Sequence, residues 1–522
     1  MWHPFTQMRD WLRHEPVVIA AGRGTVLRDV KGRKFLDANS SIWTNLHGHQ
    51  HPKINAAIQR QLKQIAHSSA LGLANEPAAL LAARLVGSAD GIYDLRLTIN
   101  QAKGNSTRAA SLPNPKLKKV FFSDDGSTAL EVALKLAYEV TRRARGAKAK
   151  PRFLSLAGAY HGDTIGAVSL GHIDLFHRAY GGMLFRTEQV MAPYCYRCPF
   201  NRAKPERADA RNYRQCHWEC VGLVQRKFSA QKKKGNPYAA FVFEPLMQGA
   251  AGMIPQPAGW LRQVAAIARS HGALLVADEV MTGFGRTGVA GPDVGRLPSH
   301  VVPRTDFRRP VSKRLKYSEF SSLDAREIDL PRSRAHSHGC LFACHHEGVQ
   351  PDFLCLAKGL TGGYLPMAAT LTTQTVFDAF LGEYEEFKSF FHGHSFTGNQ
   401  LGAAAGLASL DLLQGAASVR ARAALQQNLH DELQSLWSLP AVGDIRQVGL
   451  VAGVELVKEW RTRKPFALRE RAGIRVCEGM ARRGVLTRPV GNVIVLMPPY
   501  CTTKAQLQQM VAALAESVAE LS

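Results

Sequence analysis

The chain has 522 residues, of which 45% are hydrophobic and 21% charged, the balance of a globular protein long enough for two or more domains and a sizeable core. No apolar run approaches the length of a membrane span, and the opening Met1-Trp-His-Pro-Phe-Thr-Gln lacks the basic and apolar regions of a signal peptide, so a cytoplasmic protein without membrane contact is expected. The net charge of +24 raises nucleic acid as a partner, but the basic runs at 142–152, 232–234 and 289–340 are far apart and carry few aromatics, so none is expected.

Up to about residue 50 the pieces Pro16–Ala20, Gly24–Asp29 and Lys34–Asp37 read as strands, with Gly22, Gly24 and Gly32 marking turns. Pro52–Ile65 places Ile54, Ala57, Ile58, Leu62 and Ile65 at helical spacing. Ser88–Pro115 is polar and fits no period. From Lys119 the chain alternates strand and helix. Strand Lys119–Ser123, turn Asp124–Thr128 and amphipathic helix Ala129–Arg143 come first. Short buried strands at Arg152–Leu156, Ala239–Glu244, Ala273–Ala277 and Phe353–Ala357 follow, separated by helical patterns. This rhythm predicts an α/β fold with a mostly parallel sheet covered on both faces. The 52 residues Val289–Cys340 interrupt it with Pro, Arg, Ser and His in no clear period, as an extruded insertion or a gene-model fault would. Helices Ala403–Leu413 and Ala423–Leu436 then precede strand-like runs at 444–449, 451–456 and 492–499, which predicts a smaller α+β unit.

Two strand ends carry the chemistry. The run Ala273–Ala277 delivers Asp278-Glu279 and a glycine-punctuated loop to Gly288, and Phe353–Ala357 ends on Lys358 and then Gly-Leu-Thr-Gly-Gly. Ligands of open α/β sheets sit beyond the carboxyl ends of the strands. An acid and a lysine there are what a pyridoxal-phosphate enzyme needs: an amine for the cofactor aldehyde and a partner for the pyridinium nitrogen. Asp278 also suits a helix cap or an ion pair. Lys358, held between an apolar run and a glycine loop, is not placed like a surface lysine. The turn Ser123–Ala129 joins strand to helix, where N–H groups bind phosphate, though Asp125 or Ser127 also suits an N-cap. Tyr160, in Gly158-Ala-Tyr-His-Gly-Asp-Thr, suits stacking on a flat ring or packing on its own domain. Cys195, Cys198, Cys216 and Cys220, spaced C-x2-C…C-x3-C, allow a zinc site, but free thiols on a surface loop are the favoured reading and no metal is expected.

Taken together these residues resemble the class III, fold type I, pyridoxal-phosphate-dependent aminotransferases. The likeness extends to Trp2-His-Pro-Phe-Thr-Gln-Met, Asn39-Ser-Ser-Ile-Trp-Thr-Asn-Leu-His-Gly-His, Glu244-Pro-Leu-Met-Gln-Gly-Ala, Gly283-Phe-Gly-Arg-Thr-Gly, Phe391-His-Gly-His-Ser-Phe-Thr-Gly-Asn and Thr487-Arg-Pro, and covers nearly everything outside 88–115 and 289–340. It is nearest to the biotin-pathway branch of that family, and so implies amination of 8-amino-7-oxononanoate to 7,8-diaminononanoate. An ω-amino acid or ornithine-type aminotransferase is the alternative. The implied layout is a small domain from residues 1–50 and 371–522 around a large cofactor domain at 51–370.

The resemblance implies roles residue by residue. Lys358 would bind the cofactor and then shuttle a proton, and Asp278 would face its ring nitrogen. Gly126 and Ser127 would hold the phosphate, Tyr160 would stack, and Glu244 would contribute to the cofactor site. His394 and Ser395 would reach the phosphate of a second subunit, making a homodimer. Arg488 would take the substrate carboxylate, and Phe5, Trp43, Tyr160, Arg286, Lys358 and Gly393 would line the substrate pocket. Phe5 stands where many members have tyrosine, and Ile42-Trp43 where many have two tryptophans. These departures leave the amino donor between S-adenosylmethionine and lysine.

Overall fold

The computed structural model describes residues 1–90, 116–146, 148–289 and 340–521. Seven short strands form the central sheet: β1 Leu117–Ser123, β2 Phe153–Leu156, β3 Glu188–Val190, β4 Ala240–Phe243, β5 Leu274–Asp278, β6 Phe353–Leu356 and β7 Ala368–Thr373. Their order is β1-β7-β6-β5-β4-β2-β3. The β6-β5, β5-β4, β4-β2 and β2-β3 pairs are parallel, and β7 runs against both of its neighbours.

The unbroken apolar runs follow from this burial on both faces. Along β5, Leu275 and Ala277 pack in a core shared with Trp260, Leu261 and Val264 of helix Trp260–Ser270. Val276 packs in the opposite core, with Leu130, Ala133 and Ala137 of helix Gly126–Arg145. Alternate side chains of one strand thus feed two cores.

The N-terminal strands are Ile19–Arg23, Val26–Asp29 and Lys34–Asp37. The first starts three residues later than the Pro16–Ala20 run suggests, because antiparallel pairing with the next strand sets its register at Gly22 opposite Leu27. Leu36 and Asp37 pair in parallel with Val485 and Leu486, so both chain ends build one sheet. A second sheet holds Val442–Val448, Val451–Glu459, Val493–Leu496 and Pro489–Val490.

The polar segment expected at Ser88–Pro115 begins inside a helix. Glu76–Asp90 is helical, Leu85 and Ala89 are buried, and the Ser88 hydroxyl donates to the Arg84 carbonyl at 2.8 Å. The rest of that segment, and all of 289–340 except Val289 and Cys340, lie outside the described residues. Gly285 N–H donates to the Leu341 carbonyl at 2.9 Å, so the chain on either side of the second segment meets directly. Among the described residues no helix is long and apolar enough to cross a membrane.

Candidate active site

Parallel strands β4, β5 and β6 deliver Glu244, Asp278 and Lys358 at their carboxyl ends. The three border one cavity of about 430 Å³, together with Trp43, Ser127 and Tyr160. Lys358 adopts φ +43°, a left-handed conformation that ends β6 abruptly and starts the short turn Lys358–Thr361. Burial pushes its ammonium below the usual lysine range, and the carboxylates of Asp278 and Glu244 oppose that shift. Its Nζ lies 4.8 Å from the centre of the Trp43 ring.

Asp278 is 5% exposed. Its Oδ1 accepts the Val280 N–H at 3.0 Å, and its Oδ2 is 2.8 Å from Nδ1 of His161. Buried Glu244 accepts the N–H of Gly249 at 2.8 Å and that of Tyr160 at 3.4 Å, and burial pushes its carboxyl up to about 7. Tyr160 donates its hydroxyl proton to Asp163 at 2.8 Å; burial and this bond push its pKa above the usual phenol range.

The turn after β1 resolves the two uses open to it. Asp125 caps the helix, accepting the Thr128 N–H at 2.9 Å. The N–H groups of Gly126 and Ser127, in the first turn, have no intrahelical acceptor and stand at the positive end of a 20-residue helix. Ser127 Oγ accepts the Asp163 N–H at 3.2 Å, tying this turn to the loop that carries Tyr160 and His161. Gly162 makes that tie possible: at φ +120°, an added Cβ would lie 2.1 Å from Ser127 Oγ.

These groups fit pyridoxal phosphate. An amine, a strand-end carboxylate, an aromatic ring and open helix N–H groups surround one cavity of the right size for a cofactor.

The remaining expected residues lie around the cavity or beyond it. Phe5 is 60% exposed and its ring stands 6.4 Å from that of Tyr160. His394 Nδ1 is 2.9 Å from Asp124 Oδ2 in the turn after β1 of the same chain, and the Ser395 carbonyl is 2.7 Å from Nε2 of His67. Gly393 and Arg488 are exposed and do not line the cavity. Nor does Arg286, which is 1% exposed, donates to the Pro498 carbonyl at 2.8 Å and sits over the Tyr500 ring.

Cys195 and Cys220 are buried rather than on the surface, Cys195 against Tyr196 and Ala210, and burial pushes their thiols up to about 12 and about 11. All four thiols are free, and among the described residues no group of three His, Cys, Asp or Glu side chains is placed to hold a metal ion.

His161 and Asp163 were not singled out from sequence, although both lie in the quoted Gly-Ala-Tyr-His-Gly-Asp-Thr motif; their partners are 117 and 36 residues away. Glu279, next to Asp278, is also fully buried, and its carboxylate takes the N–H groups of Ala343 and Cys344 at 2.6 and 2.8 Å.

The family model for aminotransferase class-III matches residues 8–291 and 336–518. The chain belongs to the class III aminotransferases. The break in the match falls within the second irregular segment, whereas the match runs unbroken through 88–115. Adenosylmethionine-8-amino-7-oxononanoate aminotransferase of Nitratidesulfovibrio vulgaris is 42% identical over 512 residues, covering 98% of this chain and 78% of that protein. The crystal structure of the enzyme of the same name from Methanocaldococcus jannaschii superposes with a TM-score of 0.77 at 34% identity, covering 100% of this chain and 97% of that one. An amine transaminase from an uncultivated Pseudomonas species, solved with pyridoxal phosphate bound, gives a TM-score of 0.78 at 29% identity, covering 100% and 99%. This class III chain is therefore a fold type I, pyridoxal-phosphate-dependent aminotransferase.

Proposed function

We propose that this chain transfers an amino group to 8-amino-7-oxononanoate, giving 7,8-diaminononanoate for biotin synthesis, with S-adenosylmethionine as the donor and lysine as the second choice. The observation that carries the reading is the convergence of Lys358 and Asp278 on one cavity, in a chain whose near-full-length relatives bear the name of that enzyme.

Lys358 would bind the cofactor's aldehyde carbon in the resting enzyme. Once released, its Nζ would carry the proton between the substrate Cα and the cofactor C4′. Its partial loss of basicity through burial suits an amine that must be free to accept that proton. Asp278, held by Val280 and His161, would keep a proton on the pyridine nitrogen. The N–H groups of Gly126 and Ser127 would take the phosphate. When bound, pyridoxal phosphate supplies an electron sink for negative charge at Cα. Arg488 would meet the substrate carboxylate, which a guanidinium binds in bidentate fashion. The protein would act in the cytoplasm as a homodimer, with the segment of His394 and Ser395 completing the phosphate site of the second subunit.

Purified protein loaded with pyridoxal phosphate should convert 8-amino-7-oxononanoate to the diamine with S-adenosylmethionine, followed by mass spectrometry; lysine in its place identifies the donor. A loaded protein that takes amino groups only from ω-amino acid or ornithine-type donors and leaves 8-amino-7-oxononanoate unchanged would overturn the reading.

A further inference from the structure

We propose that Asn39 is a positioning residue that fixes the Trp43 indole over the Lys358 amine and so governs how readily that amine reacts; this rests on the reading of Lys358 as the cofactor-binding lysine.

The turn before the cavity is strained. Ser40, Ser41 and Trp43 have φ of +48°, +62° and +67°, sparsely populated values that cost a non-glycine residue about 1–3 kcal/mol. Several bonds hold the backbone there. Asp37 accepts the N–H groups of Asn39 at 3.2 Å and Ser41 at 2.8 Å, with His49 Nε2 2.9 Å from the same carboxylate. The Ser40 hydroxyl donates to the Met497 carbonyl at 2.7 Å.

None of those bonds orients the indole. That falls to Asn39, 2% exposed, whose Oδ1 accepts the Trp43 Nε1–H at 2.8 Å. On the far side the ring packs beside Gly249 and Met281, where an added Cβ on Gly249 would lie 3.3 Å from Trp43 Cζ3 and 2.5 Å from Met281 Sδ. The indole is therefore pinned at one edge by a hydrogen bond and at the other by packing, with its ring 4.8 Å from Lys358 Nζ. A ring in that place bounds the space into which Nζ can swing and so holds the amine facing the cavity. A ring free to tilt does not.

The test uses the full chain freed of cofactor, then given pyridoxal phosphate, and follows the rise of the visible band of lysine-bound cofactor. Asn39→Leu is expected to slow capture about five- to tenfold, the effect of one buried hydrogen bond. It should lower kcat/KM by a similar factor. Asn39→Asp, which keeps the acceptor, should recover at least half the native rate. In a Trp43→Phe background Asn39→Leu should add nothing, since the two act through one contact. Native capture by Asn39→Leu, a defect in Asn39→Asp as large as in Asn39→Leu, or multiplying effects of the two changes would overturn the proposal. Should Asn39→Leu not fold, Trp43→Phe alone must show the five- to tenfold slowing, and a native rate overturns it. Lys358→Ala separates the two readings. If it keeps the visible band, the assignment of Lys358 fails; if it loses the band while Asn39→Leu behaves as native, only the role of Asn39 falls.

Discussion

His161 Nδ1 stands 2.8 Å from Oδ2 of Asp278, and the His161 side chain is closed to solvent. With the Val280 N–H on the other oxygen, the carboxylate at the end of β5 is fixed from two directions. A hydrogen bond to a charged group is worth about 1.5–3 kcal/mol. His161→Phe should therefore lower kcat about ten- to hundredfold, with a smaller change in KM, because Asp278 loses its orientation while the substrate contacts remain. Steady-state kinetics on cofactor-saturated protein checks this, and a native kcat would count against the role of His161.

Gly162 is the point where the Tyr160 loop meets the turn Asp124–Thr128. Gly162→Ala must relieve a Cβ placed 2.1 Å from Ser127 Oγ and accept φ +120°. The expected outcome is a weaker hold on pyridoxal phosphate, with the dissociation constant raised at least tenfold, read by equilibrium dialysis. A native constant would show that the two loops can part without cost.

Glu279 fastens the returning chain at Ala343 and Cys344 to the end of β5. Glu279→Gln sets an amide NH2 against backbone N–H donors in a buried place, at a cost of about 1–3 kcal/mol. A thermal midpoint several degrees below native is expected from scanning calorimetry, with the aminotransferase reaction retained at low temperature.

His47 is forced to stay neutral. Burial first, then the charges of His51, Arg422 and Arg286, push its imidazole down to about 3, against about 6.5 in an unfolded chain. Protons then bind the unfolded state more readily, so this contribution to stability is intact above about pH 6.5 and is lost as the pH falls toward 3. Between pH 6.5 and 5 the native midpoint should fall more steeply than that of His47→Gln. Equal slopes in the two melting profiles would refute the assignment.

Much of the catalytic frame was legible because its signals are local. Asp278 and Lys358 each follow a short apolar run, and such runs mark buried parallel strands whose ends face a ligand. The glycine turn at Asp124–Thr128 was equally readable, and the structure separates its functions by giving the cap to Asp125. His161 and Asn39 escaped notice for a physical reason. Their importance lies in pairings with Asp278 and Trp43, and neither periodicity nor turn chemistry reports the direction in which a loop side chain points. Arg286 illustrates the converse. The family resemblance implies that it lines the substrate pocket, yet the loop turns it under Tyr500. The helix start at Ala416 rather than Ala423 reflects Val419, which packs inward a turn earlier than the apolar spacing suggests.

Lys358 is the amine expected to take the cofactor. Reducing the pyridoxal-phosphate-loaded protein with borohydride and locating the labelled peptide by mass spectrometry tests it most directly. One pyridoxyl group per chain is expected, on Lys358 in the segment Phe353–Gly363. A label on any other lysine, with Lys358 unmodified, would contradict it.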